Sequence, residues 1–147
     1  ATENEVIASL LHDAVEDQGG AATLALIRSS FGPEVADIVE GCTDTDLDPK
    51  PPWRPRKEAY IARIHRMSPS VRLVTICDKI HNGTTILREY KRLGESLWSR
   101  FTGGRQTLWY YRSVTEALTG SNVSSREIAA VVQLQAITSE LDALAHP

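Results

Sequence analysis

Cysteine is scarce in this chain of 147 residues: there are two, Cys42 and Cys77. They stand far apart in apolar, helical surroundings, which argues against a disulfide framework. Buried, reduced thiols are expected instead, as in a cytoplasmic protein. Long apolar runs are also missing. Nothing approaches the length of a membrane span, and no charged-then-apolar leader opens the chain. Nor is there a basic excess. Lys and Arg number 16 against 19 Asp and Glu, a net charge of -3. That speaks against an extended surface for nucleic-acid backbones but leaves room for a small basic pocket holding one phosphorylated molecule. No segment reads as a strand, and there is no internal repeat or low-complexity tract. What is present, 41% hydrophobic and 24% charged residues, suits one soluble globular domain.

The fold class expected is all-α. Thr2-Glu3-Asn4-Glu5 has the form of a capping box, so a helix is predicted from there to about Asp17, with Ile7, Leu10, Leu11, Ala14 and Val15 as its apolar stripe. Gly19 and Gly20 end it. A second helix spans about Ala22 to Ser30, with Leu24, Ile27 and Phe31 inward. A third begins at Pro33, a residue suited to a first helical turn, and closes at Gly41. Thr43 to Pro55 is a proline-stiffened, solvated loop near the mouth of the site. Its aspartates Asp44, Asp46 and Asp48 invite a calcium-loop reading, but the positions needing Gly and Glu are Pro49 and Pro55, so that reading is rejected. Further helices are predicted over Arg56 to Met67, from Ser70 through Asn82 and on to Leu93 with Gly83 as a weak point, and over Arg105 to Leu118. Glu95 to Phe101 forms a short helix, and a second capping box at Ser124-Ser125-Arg126-Glu127 opens the last one.

The chemistry concentrates in His12-Asp13-Ala14-Val15-Glu16-Asp17. His12 and Glu16 share one side of a helix, and Asp13 and Asp17 repeat the spacing. An imidazole beside a carboxylate suits a divalent transition metal better than calcium. Glu16 and Asp17, one turn on, are placed to orient water or move protons. Asp78 ends the apolar run Val71-Arg72-Leu73-Val74-Thr75-Ile76-Cys77, and buried carboxylates are paired or metal-bound. It is therefore expected to meet the first cluster, or else to pair with an arginine such as Arg72. Asn82, one turn later, can reach a water or a substrate oxygen, or serve as a cap.

Three stretches carry a resemblance: Leu10-Leu11-His12-Asp13-Ala14-Val15-Glu16-Asp17, then Phe31-Gly32-Pro33-Glu34-Val35-Ala36 with Val39-Glu40-Gly41-Cys42-Thr43, then Asp78-Lys79-Ile80-His81-Asn82. In this order they resemble the HD-domain phosphohydrolases, and within them the hydrolase domain of RelA/SpoT homologues, especially the small stand-alone alarmone hydrolases. The match runs from residue 1 to about Leu118.

The resemblance implies an all-α HD-domain bundle that uses one divalent metal, usually manganese, to remove the 3′-pyrophosphate from (p)ppGpp or a related nucleotide. It makes His12, Asp13 and Asp78 metal ligands and Glu16 and Asp17 the catalytic acids. Asn82 would help place the water or nucleotide, and Lys79 is a candidate phosphate contact. The family pattern has one further His, on a helix before the His-Asp pair. No His precedes His12. The expectation is thus a single domain over residues 1–147 that lacks the family's first ligand and the helix carrying it. Alternatives are another substrate, such as NADPH or a deoxynucleotide, or a metal-free HD fold acting as a binding or assembly module. In that last case, apolar surface left bare would be covered by a partner or a second copy.

Other candidates are weighed as ordinary structure. His81 is read as packing, and His65 and His146 as surface histidines. Trp109, Tyr110 and Tyr111 are read as helix core, with at most one tyrosine in the pocket. Arg56, Arg72 and Arg112 are further basic groups able to meet phosphate.

Overall fold

The structure, a computed structural model, describes residues 1–145 apart from 46, 48, 121 and 122. Asp46, Asp48 and His146 lie outside the described residues. Every regular element among the described residues is helical: α1 Glu3–Leu11, α2 Ala14–Asp17, α3 Gly20–Phe31, α4 Pro33–Cys42, α5 Trp53–Arg63, α6 Pro69–Leu93, α7 Gln106–Thr119 and α8 Ile128–Ala145, with 3-10 turns at Ile64–Arg66 and Gly94–Arg100. None of the helices is long and apolar enough to cross a membrane among the described residues.

The first capping box forms. Thr2 Oγ1 accepts from the Glu5 amide at 3.2 Å, and Glu5 accepts from the Thr2 amide at 2.7 Å. Glu5 is itself buried and also takes Ser70 Oγ and Arg126. One cap thereby ties the start of α1 to α6 and to the approach of α8. The predicted helix to Asp17 is interrupted, however. His12 and Asp13 form a turn between α1 and α2, with Asp13 at φ -93 and ψ -8. At the second box, Glu127 accepts both the amide and the hydroxyl of Ser124, and helix α8 starts one residue later.

α6 runs unbroken for 25 residues and joins two hydrophobic cores. Val71 and Val74 face the core of Ala8, Val15, Ile27, Val35 and Val39, built by α1 to α4. Ile76 and Ile86 face the core of Tyr60, Tyr111, Val114, Leu118 and Leu134, built by α5, α7 and α8. Gly83 is no weak point. A Cβ there would stand 2.6 Å from Ile137 Cγ2, so the missing side chain lets α8 and Tyr111 approach α6. Gly41 does the same for Val71, where a Cβ would meet Cγ2 at 2.5 Å, and α4 continues to Cys42.

Four other expectations change, and one alternative, an Arg72–Asp78 pair, is ruled out. Phe31 is 49% exposed because α3 turns it outward at its last position. Cys77 and His81 are exposed, since both lie on the outer side of α6. Arg72 does not pair with Asp78. It bonds Glu127 at 3.0 Å and the Leu118 carbonyl at 2.5 Å, both buried, on a different side of the helix from Asp78. Asp44 is a buried ion-pair partner and not a solvated loop acid.

Candidate active site

The turn at His12–Asp13 puts both side chains against α6. His12 Nδ1 lies 2.8 Å from the Ser9 carbonyl, which can only accept, so Nδ1 carries a proton. Nε2 then faces two carboxylates, Asp13 Oδ2 at 3.2 Å and Asp78 Oδ1 at 3.1 Å. Those hydrogen bonds, from Asp13 first and Asp78 second, push the His12 pKa up to about 10 against the opposing effect of burial.

Asp78 sits where the two cores meet and is largely buried. It accepts from Asn82 Nδ2 at 2.6 Å through Oδ1 and from Lys79 Nζ at 2.7 Å through Oδ2. Burial works to raise its pKa, but the His12 hydrogen bond and the Lys79 charge outweigh it and hold the carboxyl well below the usual range. Lys79 keeps its proton for the same reason. Burial opposes the charge, while Tyr110, Asp78 and Tyr60 around it hold the pKa well above ordinary.

A cavity of about 230 Å³ opens here. The acids Asp13, Glu16, Asp17, Asp44 and Asp78 line it together with His12, Lys57, Lys79, Asn82 and Tyr110. The structure therefore brings together all seven residues singled out from the sequence. Glu16 accepts from Lys50 at 2.9 Å and from Arg56 at 3.3 Å, and Asp17 lies 3.4 Å from Lys50. A larger cavity of about 560 Å³ adjoins the first and shares Glu16, Lys57, Lys79, Asn82 and Tyr110 with it. Its remaining lining includes cationic (Lys50, Arg56, Arg100) and aromatic (Trp53, Phe101, Tyr111) side chains beside three threonines and Ile86. Lys57 and Lys79 flank Tyr110, with Nζ 5.0 and 5.6 Å from the ring centre. An acidic cup next to a basic, aromatic annex suits a molecule with a phosphorylated end and a planar one.

Sequence reasoning missed Asp44, Lys57, Tyr60 and Thr75, all of which line the smaller cavity. Lys57 follows Arg56 at the start of α5, behind the proline loop, and that adjacency was the available signal. Arg112 lies elsewhere, paired with Asp142. Trp109 packs against Trp53 and under the Arg54 guanidinium, not in the cavity.

Among the described residues no group of three or more His, Cys, Asp and Glu side chains is arranged around a metal-sized point. His12, Asp13 and Asp78 instead close on one another through the imidazolium. Their chemistry still fits a divalent ion: one imidazole nitrogen, its tautomer fixed by a carbonyl, and two carboxylates. A bound cation would take over the charge that the imidazolium now supplies.

Comparison with known proteins bears on the fold and the family. A family model described as HD domain matches residues 1–109. A zebrafish (Danio rerio) protein named guanosine-3′,5′-bis(diphosphate) 3′-pyrophosphohydrolase MESH1 is 34% identical over 127 residues, 86% of this chain. The chain spans 65% of that relative's length. A Haemophilus influenzae protein named guanosine-3′,5′-bis(diphosphate) 3′-pyrophosphohydrolase is 35% identical over 95 residues, 59% of this chain and 13% of its own length. The crystal structure of lmo0812 from Listeria monocytogenes EGD-e superposes with a TM-score of 0.76 at 29% identity, covering 95% of this chain and 90% of that one. HD phosphohydrolases are metal-dependent enzymes, and this chain belongs to the HD-domain family.

Proposed function

We propose that the protein is a metal-dependent phosphohydrolase that removes the 3′-pyrophosphate from (p)ppGpp or a related nucleotide. The observation that carries the reading is the placement of His12 Nε2 between Asp13 and Asp78, with Glu16 and Asp17 on the same cavity wall. The names of its relatives supply the reaction.

In this reading His12, Asp13 and Asp78 hold the ion, taken to be manganese. When bound, such an ion supplies Lewis acidity and an activated water. Glu16 and Asp17 take and deliver the protons of hydrolysis, within reach of the cavity. Lys50 and Arg56 hold the Glu16 carboxylate in one place. Asn82 and Lys79 keep Asp78 oriented and border the annex, where Lys57 and Arg56 meet phosphate and the aromatic wall receives the base. The annex, with its basic and aromatic lining, favours a nucleotide over a simple phosphate monoester. The reading places the protein in the cytoplasm with its thiols reduced.

The test is an assay of the purified protein with manganese against ppGpp and, separately, NADPH. Pyrophosphate release from ppGpp is expected. Phosphate release from NADPH without ppGpp turnover would replace the substrate while keeping the site. Absence of both turnover and manganese binding would leave the fold as a binding module.

A further inference from the structure

Asp44 has no task in the reaction just described, yet its setting is unlike that of a loop acid. Its side chain is 6% exposed. One oxygen, Oδ2, accepts from both Arg56 Nη1 and Lys57 Nζ, each at 2.5 Å. The other oxygen, Oδ1, is buried without a partner, and so is Arg56 Nε. Leaving buried polar atoms unmet costs stability. An ion pair serving the fold alone would be expected to satisfy both oxygens.

The two cations that Asp44 holds both border the cleft. Lys57 lines both cavities, and its Nζ lies over the Tyr110 ring. Arg56 lines the annex and reaches from Asp44 to Glu16 Oε1 at 3.3 Å. Lysine and arginine side chains have many rotamers, and an anion that must first immobilise them binds less well. Both are held here, before any substrate arrives, by the Asp44 carboxylate, and Arg56 also bonds Glu16. Asp44, Arg56 and Lys57 by themselves sum to one net positive charge, which the Glu16 carboxylate beside Arg56 offsets.

We propose that Asp44 is a positioning residue whose carboxylate fixes Arg56 and Lys57 as one preorganised receptor for the pyrophosphate group of the substrate. The proposal takes only the name of its anion from the hydrolase reading.

Asp44→Asn separates this from simple electrostatics, because the two predict opposite signs. Removing a negative charge beside an anion site should tighten anion binding if charge alone matters. Losing the anchor should weaken it. Calorimetry of the full chain with inorganic pyrophosphate, without added metal, reads the difference. Binding about tenfold weaker is expected, the scale of one charge-assisted hydrogen bond. Equal or tighter binding by the variant overturns the proposal, and so does failure of the unaltered protein to bind pyrophosphate.

In turnover, the KM should rise by a similar factor with kcat changed less. A fall in kcat at constant KM would mean that Asp44 acts on Glu16 alone, which also overturns it. Should Asp44→Asn fail to fold, Lys57→Gln decides: a comparable loss of pyrophosphate affinity is expected, and unchanged affinity overturns the receptor. Intact pyrophosphate binding without ppGpp turnover would sink the hydrolase reading and leave this one standing.

Discussion

His12 Nε2 lies 3.1 Å from Asp78 Oδ1, across 66 positions of sequence. The turn after α1 supplies the imidazole and α6 the carboxylate. The contact forms because the turn at His12–Asp13 faces the point on α6 where the two cores meet. If this contact marks the metal site, His12→Ala and Asp78→Ala should each abolish hydrolysis and manganese binding together. Metal content by elemental analysis, alongside pyrophosphate release, checks this. Either variant turning over at an ordinary rate would remove these residues from the ligand set.

Glu16→Gln separates proton transfer from metal binding. Glu16 does not touch His12 or Asp78, and its partners are Lys50 and Arg56. The variant should bind manganese normally and react about a hundredfold more slowly, the scale of a lost acid–base group. Loss of metal in this variant would place Glu16 among the ligands.

Gly83→Ala tests the packing of α6. Alanine favours a helix over glycine by about 1 kcal/mol. Against that, the new Cβ would meet Ile137 Cγ2 at 2.6 Å and Tyr111 Cε1 at 3.1 Å. Overpacking of this kind costs about 1–3 kcal/mol, so a net loss is expected, read as a lower urea midpoint. A gain in stability would mean that α8 gives way readily.

The Arg72–Glu127 pair should govern behaviour in acid. Both side chains are buried, 7% and 2% exposed. Arg72→Met leaves the Glu127 charge without its partner, a change that costs about 3–5 kcal/mol. In the unaltered protein, burial works to raise the Glu127 pKa, but the Ser124 and Arg72 hydrogen bonds outweigh it and hold it below its ordinary value of 4.5. A carboxyl depressed in the folded state stabilises fully above its unfolded pKa. That contribution is lost as the pH falls below 4.5 and through the folded value. Glu5 is depressed in the same way, by Thr2, Ser70 and Arg126 against burial. Urea titrations between neutral pH and pH about 3 should show this fall, and Arg72→Met should flatten it. A midpoint independent of pH would remove both carboxyls from the account.

Much of this was open to reading from local chemistry. Capping residues, the apolar period of α4 and α7, and Gly-Pro punctuation are decided by neighbours a few positions away, so the helices could be placed with modest errors at their ends. The cluster of His12, Asp13, Glu16 and Asp17 was equally visible, falling within six consecutive positions, and Asp78 betrayed itself as a charge closing an apolar run. The resemblance then joined the two.

The tertiary structure decided what depends on partners far away in sequence. Gly83 reads as a weak point of its helix until Ile137 is seen filling its space. Arg72 stays open as an alternative mate for Asp78 until the turn of α6 sends it to Glu127. Asp44 reads as solvated among its fellow acids, because burial is a property of the folded surroundings and no composition reveals it. The chain alone set which groups were available for chemistry. Packing α6 between two cores settled which of them meet, since a carboxylate's partner is fixed by distances that only the fold creates.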